Sequence, residues 1–192
     1  MLRCVLAPMR VFLDFEASSL RKNGFPIEVG WVFEDGATAS YLIRPAPGWS
    51  DWDPQAEAIH GLTREALAAE GIAHDEVARR MVETLGAHDL YASAPSWDGK
   101  WLSLLLRSAG FPRHSLRLKD TEEAQYDSAA EILRPHVPPE ELEQRVRAIM
   151  ARVRAEGEAR PVRHRALADA EEELRRWHDV IRIAKGEAQG LG

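Results

Sequence analysis

RVFLDFEASSLRKNGFPIEVGWVFEDGATASYLI, residues 10–43, is the stretch on which the fold turns. It holds an apolar run at 10–15 that ends in acids, a second run at 27–33, a Glu34-Asp35-Gly36 turn and a third run at 39–43. Short runs rich in Val, Ile, Phe, Tyr and Trp, bounded by Gly and Pro, read as strands. Asp-Gly is a tight-hairpin signal, so the second and third strands are expected to be antiparallel. Gly24-Phe25-Pro26 punctuates the passage from the first strand to the second in the same way.

Beyond this stretch, helical patterns fall at 53–59, 63–69 and 74–85, the second with Thr63 as its cap. A fourth strand fits 89–93. A helix fits 98–109, with Trp101, Leu104 and Leu105 at helical spacing and Gly110 and Pro112 as its stop. A fifth strand fits 116–119, and helices fit 121–133, 139–156 and 166–185. In the last helix Leu167, Ala170, Leu174, Trp177 and Ile181 form an apolar stripe. The order implies an α/β domain with a mixed five-stranded sheet, its first three strands antiparallel and helices on both sides. No repeat or linker divides the chain, so one domain over 1–192 is expected.

Hydrophobic residues make up 45% of the 192 and charged residues 29%, which fits a soluble globular protein and excludes a disordered one. The single cysteine, Cys4, rules out an internal disulfide and a cysteine-built zinc site, so a reducing cytoplasm is the expected compartment. The opening MLRCVLAPMR is too short and too interrupted for a signal peptide or membrane span. A net charge of −6 argues against broad adhesion to duplex DNA, which relies on many Lys and Arg contacts. It does not exclude nucleic acid, because cations held by carboxylates bring positive charge to a phosphate.

Asp14 and Glu16 stand two apart on a strand, so their side chains leave one face with Cα atoms roughly 6–7 Å apart. Charges there need a positive partner. A metal is one; a lysine or arginine is the plainer one, and the dipeptide alone favours it. Asp98 alone reads as a helix N-cap or first-turn acid, stabilising amide groups and the helix dipole. His164 and Asp169 are five residues apart, a turn of roughly 140°, so they cannot share one stripe. A histidine on the entering loop and an aspartate on the helix suit that spacing; for the pair taken alone, an exposed His and a solvated Asp are the favoured reading.

Taken in order, VFLDFEASSL (11–20), AIHGLT (58–63), SAPSWDGKWL (93–102) and HRALADAEEEL (164–174) resemble the DEDDh-type 3′→5′ exonucleases of the proofreading-exonuclease and ribonuclease T superfamily, whose fold is ribonuclease H-like. The resemblance spans nearly the whole chain. It implies Asp14, Glu16 and Asp169 as the principal metal ligands, Asp98 as a fourth acid and His164 as the general base. It also implies two magnesium or manganese ions flanking the scissile phosphate, one activating water and the other steadying the leaving 3′ oxygen. An imidazole titrating near neutral pH suits the base role. The same matches place Ala17, Ser18 and Leu20 at the terminal nucleotide, and His60 as a substrate contact or a structural loop residue.

Two features depart from the family pattern. Ser93-Ala94-Pro95-Ser96-Trp97-Asp98 replaces the common His-Asn-Ala-x-Phe-Asp, which removes an Asn amide, and Ala17-Ser18-Ser19-Leu20 replaces a threonine-rich turn.

Arginines gather late in the chain, at 145, 147, 152, 154, 160, 163 and 165, and most read as a solvated face paired with Glu140, Glu141, Glu143 and Glu156. Arg163 and Arg165 flank His164 and are candidate phosphate contacts. Trp49, Trp52 and Trp97 are candidates to stack on bases, core packing being the commoner fate of a tryptophan. The expected function is hydrolysis of phosphodiesters at the 3′ end of a single strand or overhang, releasing nucleoside monophosphates, with RNA slightly favoured over DNA. The rivals are a catalytically silent module that holds a nucleic-acid end, and the same chemistry on a small nucleotide. Family resemblance also raises a homodimer.

Overall fold

A computed structural model describes residues 7–158 and 164–191. Cys4, Arg160 and Arg163 lie outside the described residues. Three strands open the chain, β1 (Arg10–Ala17), β2 (Pro26–Phe33) and β3 (Thr38–Arg44). They pair antiparallel in sequence order, with Phe12 opposite Val32, Asp14 opposite Gly30 and Glu16 opposite Glu28. The Asp-Gly turn closes as expected: Gly36 has a φ of +91° and its N–H donates to the Phe33 carbonyl at 2.9 Å. Only glycine enters that region without steric cost.

The short helices α1 (Pro54–His60) and α2 (Arg64–Glu70) follow. Asp53 caps the first by accepting from the Gln55 amide, and Thr63 caps the second by accepting from the Ala66 amide. Strand β4 (Ile72–Ala73) leads into α3 (His74–Leu85), and β5 (Asp89–Ala92) leads into α4 (Pro95–Ser108). Next come β6 (Leu118–Asp120), α5 (Thr121–Leu133), α6 (Pro139–Glu158) and α7 (Ala166–Leu191).

The sheet has six strands among the described residues, not five, in the order β4-β3-β2-β1-β5-β6. The extra strand is β4, whose two residues pair parallel with Ile43 and Arg44. Two residues carry no periodicity, so the sequence gives no sign of it. β5 and β6 are parallel to β1, which puts the starts of α4 and α5 at the same sheet end as Asp14 and Glu16. α4 begins at Pro95, three residues before the expected start at 98, and Asp98 is the acid of its first turn.

The two faces of β1 set the layers. Val11, Leu13 and Phe15 pack with Met81, Leu85, Trp101 and Leu105 from α3 and α4. Phe12 points the other way, to Ala170, Leu174 and Trp177 of α7. Strand alternation then places Asp14 and Glu16 on the α7 face as well. α7 lies against β1 and β2, and its far half joins α5 and α6 in a separate core around Leu133, Val146, Ile149, Val180 and Ile183. Among the described residues no helix is long and apolar enough to cross a membrane.

Candidate active site

The site is assembled by the close approach of α7 to β2. A Cβ placed on Gly30 would stand 2.3 Å from the Leu167 nitrogen and 2.5 Å from its Cα, so the first turn of α7 rests on bare strand backbone. Gly30 is the residue opposite Asp14. That contact carries Asp169 down to the two strand acids, and carboxylate oxygens of Asp14, Glu16 and Asp169 lie within 4.8 Å of one another.

Such crowding disfavours the ionised forms. Burial pushes the Asp14 carboxyl up to about 9, reinforced by the charges of Asp98, Glu16, Asp169 and Glu173. Burial also raises Glu16 to about 7, with Asp169 and Glu28 adding to it and Arg165 opposing. Asp169 is raised, mainly by burial, and the nearby His164 charge pulls it back. Asp98 is 3% exposed and pushed up to about 7 by burial, against backbone amides of Ala94, Phe15 and Asp98 itself. Its Oδ2 is buried with no hydrogen-bond partner. A buried oxygen without a partner is costly unless something positive or protic meets it there.

His164 stands just before α7, exposed, in a left-handed conformation with φ +48°. His60 is 6% exposed; its Nδ1 accepts from the Leu62 amide at 3.0 Å, which leaves the proton on Nε2, and that atom is buried without an acceptor. Its imidazole is held toward the neutral form, by burial first, with the charges of Arg165 and His164 in the same sense. His60 therefore presents a donor close to the His164 loop.

The turn after β1 is more braced than expected. The Ser18 amide donates to the Phe25 carbonyl and its hydroxyl accepts from the Phe25 amide, while its carbonyl accepts from Asp53. Ser18 is thus buried, with its amide, carbonyl and hydroxyl oxygen all engaged in the turn. Ser19 is tied to Asp51, and the Arg21 carbonyl accepts from Lys100 at 2.7 Å. These bonds hold Leu20 out at the tip, 68% exposed. Ala17 lies beside it, at the irregularity where β1 leaves its register with β2.

Trp97 is 42% exposed, stacked on Trp101 with ring centres 6.1 Å apart and with the Lys100 ammonium nearby. Trp49 and Trp52 are not open platforms. Both are half-buried against Phe25, and the Trp52 indole donates to Glu57 at 2.6 Å. Arg165 is not a free phosphate contact either: its guanidinium forks onto the buried Glu28. Two acids here escape the sequence reading. Glu28 shows itself as an acid inside an apolar strand, the same signal as Asp14. Glu173, one turn beyond Asp169, is buried and bonded to Thr121 and Arg176, and has no such signal.

The fold and the acid cluster together define the class: an α/β ribonuclease H-like fold with a carboxylate cluster at one end of its sheet. Solved structures that share the fold include exonucleases I. The E. coli enzyme bound to single-stranded DNA and zinc superposes with a TM-score of 0.66 at 15% identity, covering 96% of this chain and 42% of that one. A moderately thermophilic exonuclease I from Methylocaldum szegediense gives 0.67 at 16% identity, with 95% and 42% covered. A product-bound exonuclease I gives 0.64 at 15%, with 95% and 45% covered. The chain thus spans less than half the length of these enzymes, and what it shares with them is the fold. No protein-family model and no curated protein matches the sequence.

Proposed function

We propose that this chain is a divalent-metal-dependent 3′→5′ exonuclease acting on single-stranded nucleic acid. The observation that carries this reading is the convergence of Asp14, Glu16 and Asp169 within 4.8 Å, on a fold shared with exonuclease I. The residues fit a cation: three acids meet, each with its pKa raised by burial and its acidic neighbours more than Arg165 and His164 pull it back, and the orphaned Asp98 Oδ2 lies at their side. Asp14, Glu16 and Asp169 would hold the metal, with Asp98 adjacent, and its chemistry when bound is to offset charge on the phosphate and make a water more acidic.

His164 takes the proton of the attacking water as that water adds to phosphorus and the bond to the 3′ oxygen breaks. Its exposed place on the entry to α7 lets it reach a substrate from outside while Asp169 stays fixed below. Leu20 and Trp97 present exposed apolar surface for the terminal base. The sequence leans to RNA; the solved neighbours hold single-stranded DNA, including a dA16 oligonucleotide, and make DNA the first substrate to try.

The test is digestion of matched 5′-labelled RNA and DNA oligonucleotides in magnesium and in manganese. A descending ladder that a 3′-phosphate blocks supports the proposal. Internal cuts on a circular strand would overturn it, and binding without cleavage in either metal would point to the silent module.

A further inference from the structure

Glu28 is almost wholly buried, at 2% exposure, on a strand that is buried from end to end. Its Oε1 accepts from the Arg165 NH2 nitrogen at 2.7 Å, and its Oε2 accepts from Arg165 Nε at 3.0 Å and from the Ala166 amide at 3.1 Å. One carboxylate therefore holds both the side chain that follows His164 and the first amide of α7. A fork of this kind fixes direction as well as distance, which a single hydrogen bond does not.

The placement gives the bonds their meaning. Glu28 lies opposite Glu16, two residues from Gly30, where the α7 backbone touches the strand. β2 thus grips the start of α7 at two points, once by side chain and once by bare backbone. Between that grip and the preceding chain sits His164, in a left-handed conformation that non-glycine residues adopt uncommonly. An imidazole on a free loop would sample many positions; one whose following residue is forked to a buried strand is restricted to few. We propose that Glu28 is a positioning residue for His164: through Arg165 and the Ala166 amide it sets the backbone from which the imidazole reaches the reacting phosphate. This rests on His164 as the general base. Arg165 then belongs to the clamp, not to the substrate.

A helix anchor with no link to His164 would show the same bonds, so the test must separate the two roles. Glu28→Gln keeps the shape and removes the charge that makes the fork strong. We expect it to lower the single-turnover cleavage rate about tenfold to a hundredfold, the scale for a misplaced reacting group. Oligonucleotide binding and the rise in Tm with manganese should stay as in the wild type. In a His164→Ala background the same change should cost less than about twofold, because residues that act as one unit are not additive. Amide exchange should quicken at 164–166 and not in the rest of α7. Arg165→Gln combined with Glu28→Gln should match Glu28→Gln alone.

An equal rate loss in both backgrounds, a lost manganese response, or faster local exchange with an unchanged rate would overturn the positioning role. If the wild type does not cleave, the exonuclease reading has failed separately and exchange alone judges the clamp: quicker exchange at 164–166 in Glu28→Gln sustains it, unchanged exchange overturns it.

Discussion

The acids of α6 and the acids at the sheet end receive opposite treatment. On α6, Glu141, Glu143 and Glu156 each meet an arginine four residues away, at 2.9 Å and in solvent. At the sheet end, Asp14 has Asp98, Glu16, Asp169 and Glu173 as its charged neighbours, all of its own sign, and is half-buried besides. The first arrangement is self-sufficient and contributes little, about 0.3–0.5 kcal/mol a pair. The second is unfavourable as it stands and becomes favourable when a cation arrives. Acids that the fold leaves in mutual repulsion, at a depth where repulsion is strong, mark the place where chemistry is to be sought.

The largest effect should come from the repelling acids. Asp14→Ala or Asp169→Ala should remove hydrolysis by about three orders of magnitude or more, as for a group acting within one catalytic unit. Circular dichroism should meanwhile show the fold intact and, in chelator, no less stable. Near-wild-type turnover by either purified variant would end their assignment as ligands. His164→Ala comes next, with turnover lowered by roughly two to four orders of magnitude and little loss of binding, the scale of a lost general base. If binding collapsed while the single-turnover rate held, His164 would be a contact residue.

Much of this was legible beforehand. The period of two along β1 puts Asp14 and Glu16 on one face, the Asp-Gly turn fixes β2 against β3, and α3 runs over the expected 74–85. What stayed hidden depends on partners distant in sequence. Arg165 looks free until Glu28, 137 residues earlier, is seen beneath it. Trp49 and Trp52 look like open stacking surfaces until Phe25 covers them. Ser18 resembles a nucleotide contact until its amide, carbonyl and hydroxyl oxygen are seen bonded within the turn. Local pattern names the residue types; packing alone says which of them remain available.

A smaller effect should separate the geometry of the cluster from its charge. Gly30→Ala drives a methyl group into the backbone of Leu167, so it should destabilise by about 1–3 kcal/mol, the cost of overpacking, and weaken activity by displacing Asp169. Denaturant unfolding beside the cleavage assay would check both. At the other end of the scale, Arg147→Ala on α6 should change stability by no more than about 0.5 kcal/mol and leave cleavage untouched. A large loss there would mean that α6 contributes to substrate or fold in a way its paired charges do not suggest.

Charge repulsion also has a signature in pH. The Asp14 carboxyl is pushed up to about 9 in the folded chain from its ordinary value of 3.8, so between the two the folded chain keeps a proton that the unfolded chain has released. Its contribution to stability is full below the lower value and lost as pH rises through the upper one. In chelator, Tm should therefore fall from pH 5 to pH 9, and Asp14→Asn should flatten that fall.

Calorimetric titration of manganese into wild type and Asp14→Asn at pH 8 tests the central claim most directly. If the crowded carboxylates are a cation site, the wild type binds with release of protons and the variant binds at least about tenfold more weakly, as expected when an oxygen ligand to a hard cation is neutralised. Equal binding by the two proteins, or no binding by the wild type, would contradict it.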